Sequence, residues 1–138
     1  MKIRPAKPYG KDLEKLIAIH KAIFPADSLP SFNNGWWWLV YDGHKVVAFA
    51  GLNGVKSWNE ALYLSRCGVD KAYRGRGLQK RLIKIRERKA RKLGIKHLIT
   101  STYYRLISAN NLINCGFRLY QPEIEWLAKG SLYWKKDL

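Results

Sequence analysis

Residues 69–82 read VDKAYRGRGLQKRL, and in this stretch a short apolar run ends, a glycine-rich turn follows and an amphipathic pattern begins. The pattern predicts a strand, a tight loop and a helix in succession. Gly75 and Gly77 carry no Cβ, so the loop can bring several backbone N–H groups close to a ligand near the helix N-terminus. Four basic side chains surround that point: Arg74, Arg76, Lys80 and Arg81. The stretch therefore predicts a site for a pyrophosphate.

Two common phosphate loops do not match this stretch. A Walker A loop requires G-x-x-x-x-G-K-S/T, and the chain has no such run. The dinucleotide fingerprint G-x-G-x-x-G would need glycine at the position of Lys80. A basic turn that caps a surface helix would use the same residues without any ligand, and the stretch alone leaves both interpretations open.

Length and composition indicate one globular domain, residues 1–138, because 138 residues with 47% hydrophobic content can bury a core. No apolar run reaches the roughly 20 residues of a membrane helix, and no signal peptide follows Met1. We expect a cytoplasmic protein without a membrane partner. Cys67 and Cys115 lie far apart without C-x-x-C or histidine spacing, which predicts two reduced packing thiols and no metal site.

The charge is strongly basic, with 26 Lys and Arg against 10 Asp and Glu and a net charge of +16. Twelve of the basic residues lie between Lys71 and Lys96, where Glu87 is the only acid. A solvated helix face and a patch that meets nucleic acid both explain this concentration. The predicted solvent face contains Lys84, Arg88 and Arg91 or Lys92, and the predicted core face contains Leu78, Leu82, Ile85 and Leu93.

The remaining patterns alternate between strand and helix periods. We predict strands at 2–4, 36–41, 45–52, 61–69, 97–102, 117–120 and around 133–134, and helices at 12–24, 78–93 and 109–115. Pro25 ends the first helix, Asp42-Gly43 forms a hairpin turn, and Gly94 and Gly116 end the later helices. The order β-α-β-β-β-α-β-α-β-β predicts a mixed α/β (α+β) fold.

Some side chains in these elements have competing interpretations. His20 lies on the apolar face of the first helix, where we interpret it as a packed residue and not as a ligand or base. Successive strand side chains face opposite ways, so Trp37 opposes Trp36 and Trp38. Two covered sheet faces explain these aromatic residues, and a surface that stacks bases is the alternative. Ser108 is predicted to cap the last helix.

The glycine-rich loop resembles the acetyl-CoA loop of the GNAT superfamily of N-acetyltransferases, Q/R-x-x-G-x-G/A. Arg74 and Gly77 match its fixed positions, and Gln79 stands where the family has a small residue. The order of elements is also similar to that family over nearly all 138 residues. The resemblance implies a single-domain GNAT-like fold, in which helices flank a mixed, mostly antiparallel twisted sheet.

A second stretch, residues 105–117, is similar to the family's helix N-x-x-S/A-x-x-L-Y-x-x-x-G-F. Ser108 and the Gly116-Phe117 pair match the motif. Three positions depart from it: Arg105 replaces Asn, Asn111 replaces Leu and Leu112 replaces Tyr. In the family that tyrosine is the usual general acid for the departing coenzyme A thiolate, and a leucine cannot donate a proton.

The resemblance implies acetyl-CoA as the cofactor and indicates where it binds. In relatives the fourth strand separates from the fifth, and its end presents amides to the thioester and pantetheine; the corresponding residues are Cys67, Gly68 and Val69. Loop amides would hold the pyrophosphate, and they belong to Arg74, Gly75, Arg76, Gly77, Leu78, Gln79 and Lys80. Asn111 would bind the pantetheine or lie near the adenosine end.

The sequence does not identify a general base. Relatives often place a glutamate on the fourth strand, but residues 61–69 contain no carboxylate. Tyr63 and Ser65 share one face of that strand and are candidates for proton transfer. Tyr104, beyond the fifth strand, is our first candidate for the general acid. A water relay, or binding of the amine in its free form, would make a side-chain base unnecessary.

These features favour an acetyl-CoA-dependent N-acetyltransferase that acts on a primary amine of an unidentified acceptor. A charge of +16 repels polycations, so an acceptor that carries phosphate or carboxylate, or one bound to nucleic acid, fits better. The alternative is a nucleic-acid-directed GNAT-like modifier, or a basic nucleic-acid-binding protein that uses helix 78–93. A monomer and a homodimer are both compatible with the sequence.

Overall fold

The order of strands and helices follows the predicted one. The computed structural model describes all 138 residues. Its strands are β1 (Lys2–Ala6), β2 (Trp36–Asp42), β3 (Lys45–Gly54), β4 (Ala61–Val69), β5 (His97–Thr102), β6 (Arg118–Leu119) and β7 (Leu132–Asp137). Its α-helices are α1 (Gly10–Ile23), α2 (Leu78–Lys92) and α3 (Leu106–Asn114), and a 3-10 turn covers Lys71–Tyr73.

The seven strands form one sheet in the order β1-β2-β3-β4-β5-β7-β6. The β4–β5 pair is parallel and every other pair is antiparallel, so the predicted mixed, mostly antiparallel sheet is confirmed. β1 lies at one edge and continues through Pro5 to Ala6, two residues beyond the prediction. An edge strand tolerates proline because the missing N–H can face away from the sheet.

Both faces of the sheet are covered, which explains the consecutive tryptophans. Trp37 packs with Leu16 of α1 and Phe49 of β3, whereas Trp38 belongs to the larger core under α2 and α3. Both indoles are almost fully buried and therefore cannot stack on bases. His20 is also fully buried, which confirms the prediction that it packs in the core.

Two details of the helices differ from the prediction. The buried face of α2 consists of Leu78, Leu82, Ile83, Arg86 and Ala90. The predicted residues Ile85 and Leu93 are respectively half-buried and 43% exposed, because the apolar face is rotated towards Ile83 and the helix ends at Lys92.

The last helix, α3, begins at Leu106 and not at residue 109. Its hydrogen bonds start with Ala109 N–H donating to the Arg105 carbonyl at 3.0 Å. Ser108 consequently lies within the first turn and does not cap the helix. Its hydroxyl instead accepts a hydrogen bond from Gln79 of α2 at 3.2 Å.

Candidate active site

β4 and β5 are paired at one end only. Residues 61–63 pair with residues 97–99, whereas β4 continues to Val69 and β5 to Thr102. A cleft of about 470 Å³ lies between the two strands. The Thr100 hydroxyl donates across it to the Leu64 carbonyl at 2.8 Å. Beyond that point the edge of β4 has no strand partner on this side, so its backbone groups can bind another molecule.

A β-bulge lies on β4 beside this cleft. Between the paired positions Leu64 and Cys67, β4 has two residues, Ser65 and Arg66, where β3 has only Gly51. An extra residue bends a strand and increases its twist, and bulges are common beside active sites. The bulge thus turns the free part of β4 at the point where it leaves β5.

The glycine-rich loop presents unpaired amides. Gly75 and Gly77 have φ angles of +77° and +76°, and a Cβ at either position would have no atom within 4 Å. The backbone N–H groups of residues 75–80 donate no hydrogen bond within the protein, and the first that does so is Arg81, to the Gly77 carbonyl at 3.1 Å. Six free amides at the start of α2 fit a pyrophosphate well.

The cleft has two sides because it passes through the sheet. The side towards α1 is lined by Phe24, Pro30, Tyr63, Ser65, Arg66 and Ser101. The side towards α2 and α3 is lined by Leu64, Cys67, Gln79, Ile83, Arg86, Thr100, Thr102, Arg105, Ser108 and Leu112. These 16 residues include three arginines and neither a carboxylate nor a histidine. The cleft therefore suits anions and offers no side-chain base.

The glycine loop, the separated strands and the cleft between them agree with a family match over most of the chain. The acetyltransferase (GNAT) family matches residues 8–117. The chain belongs to this family. It is a GNAT acetyltransferase, and its acetyl donor is acetyl-CoA. None of the curated proteins matches the chain significantly.

Solved structures show the same GNAT fold at low sequence identity. A Bacillus subtilis acetyltransferase in complex with CoA is 15% identical with a TM-score of 0.78, over 99% of this chain and 98% of that one. The ribosomal-protein-alanine N-acetyltransferase of Brucella melitensis is 20% identical with a TM-score of 0.78 over all of both chains. The Escherichia coli ribosomal-protein-S18-alanine N-acetyltransferase is 15% identical with a TM-score of 0.75, over 99% and 94%.

Gln79, which departs from the GNAT loop motif, connects two helices. Its Nε2 donates to the Ser108 hydroxyl at 3.2 Å, and its Oε1 accepts from Asn111 Nδ2 at 2.6 Å. The longer side chain thus joins α2 to α3 at the entrance of the cleft. Asn111 was predicted to bind the pantetheine or lie near the adenosine end, and its amide N–H is already used by Gln79.

The structure places the predicted proton-transfer residues differently from one another. Tyr63 lines the cleft and its hydroxyl lies 3.1 Å from the Ser101 hydroxyl. Ser65 also lines the cleft, with a buried hydroxyl that has no partner. Tyr104 is 84% exposed, has a left-handed φ of 50° and does not line the cleft. The geometry gives no support to Tyr104 as the acid, because its turn directs the ring to the surface beside Tyr103.

On the α1 side, Arg66 belongs to a compensated cluster that the sequence did not indicate. Its Nη1 donates to Asp27 Oδ2 at 2.9 Å and lies 3.2 Å from His20 Nε2. Burial lowers the pKa of His20, the charge of Arg66 lowers it further, and Asp27 opposes both effects. A neutral imidazole with its proton on Nδ1 can accept from Arg66.

On the α2 side, the sequence analysis also missed Arg86. Its Nε donates to the Leu82 carbonyl at 3.0 Å, and its Nη1 donates to the carbonyls of Gly51 at 3.0 Å and Ser65 at 3.4 Å. Desolvation raises the pKa of the nearby Cys67 thiol, and the charge of Arg86 opposes that shift. Both cysteines are free thiols. Arg86 thus braces the bulge from the opposite face of the sheet.

The basic face of α2 is separate from the cleft. Lys84, Arg88, Arg91 and Lys92 are all exposed, whereas Arg86 of the same basic run is buried. Glu87 accepts hydrogen bonds from Arg91 at 3.2 Å and from Lys136 at 2.7 Å. None of the helices is long and apolar enough to cross a membrane.

Proposed function

We propose that the protein transfers the acetyl group of acetyl-CoA to a primary amine of an acceptor that carries an anionic group. The observation that supports this function is a cleft that leads from the glycine-rich loop through the sheet and contains arginines without any acid. Cationic lining repels polyamines and attracts an acceptor with a carboxylate or phosphate. Arg66 and Arg105 are the residues proposed to meet that group.

The cofactor is proposed to lie along β4 and the start of α2. Amides of Arg74, Gly75, Arg76, Gly77, Leu78, Gln79 and Lys80 would hold the pyrophosphate, and amides of Cys67, Gly68 and Val69 would hold the pantetheine and thioester. Two loop arginines are already positioned: Arg74 Nε donates to the Val69 carbonyl at 3.2 Å, and Arg76 Nη2 donates to the Ala72 carbonyl at 3.3 Å. When bound, acetyl-CoA supplies an electrophilic thioester carbonyl.

The acceptor amine is proposed to enter from the α1 side as the free base. Its nitrogen lone pair forms the new C–N bond, the C–S bond breaks with its electron pair on sulfur, and the amine loses a proton to water. The hydroxyls of Tyr63 and Ser101 would guide that proton outward, because the lining offers no carboxylate or histidine. Tyr104 is not part of this proposal.

The cofactor site is tested by charge at the loop. Gly77→Asp would place a carboxylate beside the pyrophosphate, whereas Gly77→Asn has nearly the same shape without the charge and tolerates the left-handed φ of +76°. We expect acetyl-CoA affinity, measured by calorimetry, to fall by about 100-fold in Gly77→Asp and by less than about tenfold in Gly77→Asn. Equal affinities in wild type and a folded Gly77→Asp variant would overturn the assignment.

The acceptor class is tested with labelled acetyl-CoA and primary amines of matched length, with and without a carboxylate or phosphate. Peptides that begin with alanine belong in this panel, because two similar structures are N-acetyltransferases of ribosomal-protein alanine. Faster acetylation of the anionic amines supports the proposal, and a preference for polyamines contradicts it. The nucleic-acid alternative receives no support from the family match.

A further inference from the structure

Arg86 is a buried cation without a compensating carboxylate. It is 2% exposed, and none of the six ion pairs in the structure includes it. Its hydrogen bonds use Nε and Nη1 and end on carbonyl oxygens, and its Nη2 makes none. Apolar residues usually replace buried charges without loss of stability, so packing does not explain an arginine at this position.

The position of Arg86 along the cleft is specific. Gln79, Ile83 and Arg86 line the cleft from one face of α2, at spacings of four and three residues. With a rise of 1.5 Å per residue, Arg86 lies about 10 Å along the helix axis from Gln79. Its guanidinium ends at the carbonyl of Ser65, in the bulge where the two sides of the cleft meet. A group that extends from the phosphate loop to the acceptor side must therefore pass Arg86.

Acetyl transfer, on which this inference rests, leaves negative charge at that point. The amine nitrogen forms the C–N bond, and the electron pair of the broken C–S bond remains on sulfur. The sulfur thus needs a proton or a nearby cation. Leu112 occupies the position of the family's acid, and Tyr63 lies on the α1 side of the cleft. The α2 side offers Arg86 instead.

We propose that Arg86 stabilises the departing sulfur of coenzyme A as a thiolate, in place of a general acid. Burial lowers the pKa of Arg86, but a guanidinium remains charged in proteins. The titratable groups that act on it are the thiols of Cys67 on β4 and Cys115 after α3, and the pKa of each thiol is raised. No neighbouring anion therefore competes with the sulfur.

The test compares CoA with desulfo-CoA, in which hydrogen replaces the thiol, by calorimetry from about pH 6.5 to pH 9.5. Titration of protein groups changes the affinity for both ligands, so the ratio of the two affinities reports the state of the sulfur. In wild type we expect CoA to gain at least about tenfold over desulfo-CoA as pH rises, since one unit of thiol pKa shift corresponds to tenfold in affinity. Thiolate absorbance of bound CoA provides a second readout.

Arg86→Gln retains a donor for the Gly51 carbonyl but removes the charge, and Arg86→Lys retains the charge. Arg88→Gln removes an exposed arginine from the same helix and is the matched control. The proposal expects the pH-dependent gain to fall to less than about twofold in Arg86→Gln, and to persist in Arg86→Lys and Arg88→Gln.

An unchanged gain in a folded Arg86→Gln variant, or no gain in wild type, would overturn the role of Arg86 and leave the cofactor site intact. Failure of wild type to bind either ligand would overturn the cofactor site and this inference together. The experiment needs no acceptor, so its outcome is independent of the proposed amine.

Discussion

The two sides of the cleft hold an arginine in opposite ways. On the α1 side, the Arg66 side chain is 35% exposed and donates to the carboxylate of Asp27 and to His20. On the α2 side, Arg86 is 2% exposed and donates only to carbonyl oxygens of Leu82, Gly51 and Ser65. One positive charge is thus solvated and neutralised by a partner, and the other is neither.

This difference separates the tasks of the two sides. A compensated surface arginine contributes little field, and its carboxylate partner can be exchanged for that of a ligand. An uncompensated buried arginine retains its full field in a medium of low dielectric constant. The α2 side, with its free loop amides and Arg86, is therefore suited to anions of the donor. The α1 side is suited to a neutral amine whose anionic group remains near solvent.

The largest expected effect comes from Gly51, which separates the two sides. A Cβ at this position would lie 2.5 Å from the Ser65 hydroxyl and 2.6 Å from the buried Trp37 ring. Since Trp37 cannot move in a packed core, Gly51→Ala should lower the free energy of unfolding by about 1–3 kcal/mol in urea titrations. Gly54→Ala on the same strand is the control, because a Cβ there has no atom within 4 Å. Similar losses in the two variants would contradict close packing at the bulge.

Removing either charge of the Arg66–Asp27 pair should change acceptor binding in opposite directions. Arg66→Gln removes the cation proposed to meet an anionic acceptor, so its KM for that acceptor should rise by about tenfold. Asp27→Asn releases Arg66, so the KM should fall by about two- to fivefold. The KM for acetyl-CoA should change in neither variant. Steady-state kinetics with one anionic amine and its uncharged analogue measures these effects, and changes of the same sign would refute them.

Local signals in the sequence were sufficient for the order of elements and for the phosphate loop. Hydrophobic periods place β4 and α2, and the glycines at positions 75 and 77 permit the left-handed turns that expose the loop amides. The bulge of β4 and its separation from β5 depend on pairing between distant strands. The family resemblance implied this separation, and the periodicity of residues 61–69 did not.

The missed residues have identifiable causes. Arg86 belongs to a basic run by composition, but it lies four residues from both Leu82 and Ala90, and this spacing marks a buried position. The start of α3 was wrong because Gln79, from another helix, binds the hydroxyl of Ser108. Tyr104 is near the cleft in sequence, and its positive φ turns it away. The cluster around Arg66 joins α1, the following loop and β4, so no local pattern predicts it.

The smallest expected effect concerns His20, which keeps the α1 side compensated only while it is neutral. Its ring packs against Phe24, Phe32 and Phe49, and protonation would place a second cation beside Arg66. The pKa of His20 is therefore lowered in the folded state by burial and by Arg66, and the unfolded chain keeps the ordinary value of about 6.5.

Between these two pKa values the unfolded state binds more protons than the folded state, so stability is complete above about pH 6.5 and falls as pH decreases towards the folded pKa. His20→Gln cannot titrate and can still accept from Arg66. Urea unfolding at about pH 7 and pH 5 should show a smaller loss of stability in this variant than in wild type. His44→Gln, at an exposed turn, should retain the wild-type loss. Equal losses in wild type and His20→Gln would show that the histidine is not held neutral, and the contrast between the two arginines would then rest on Asp27 alone.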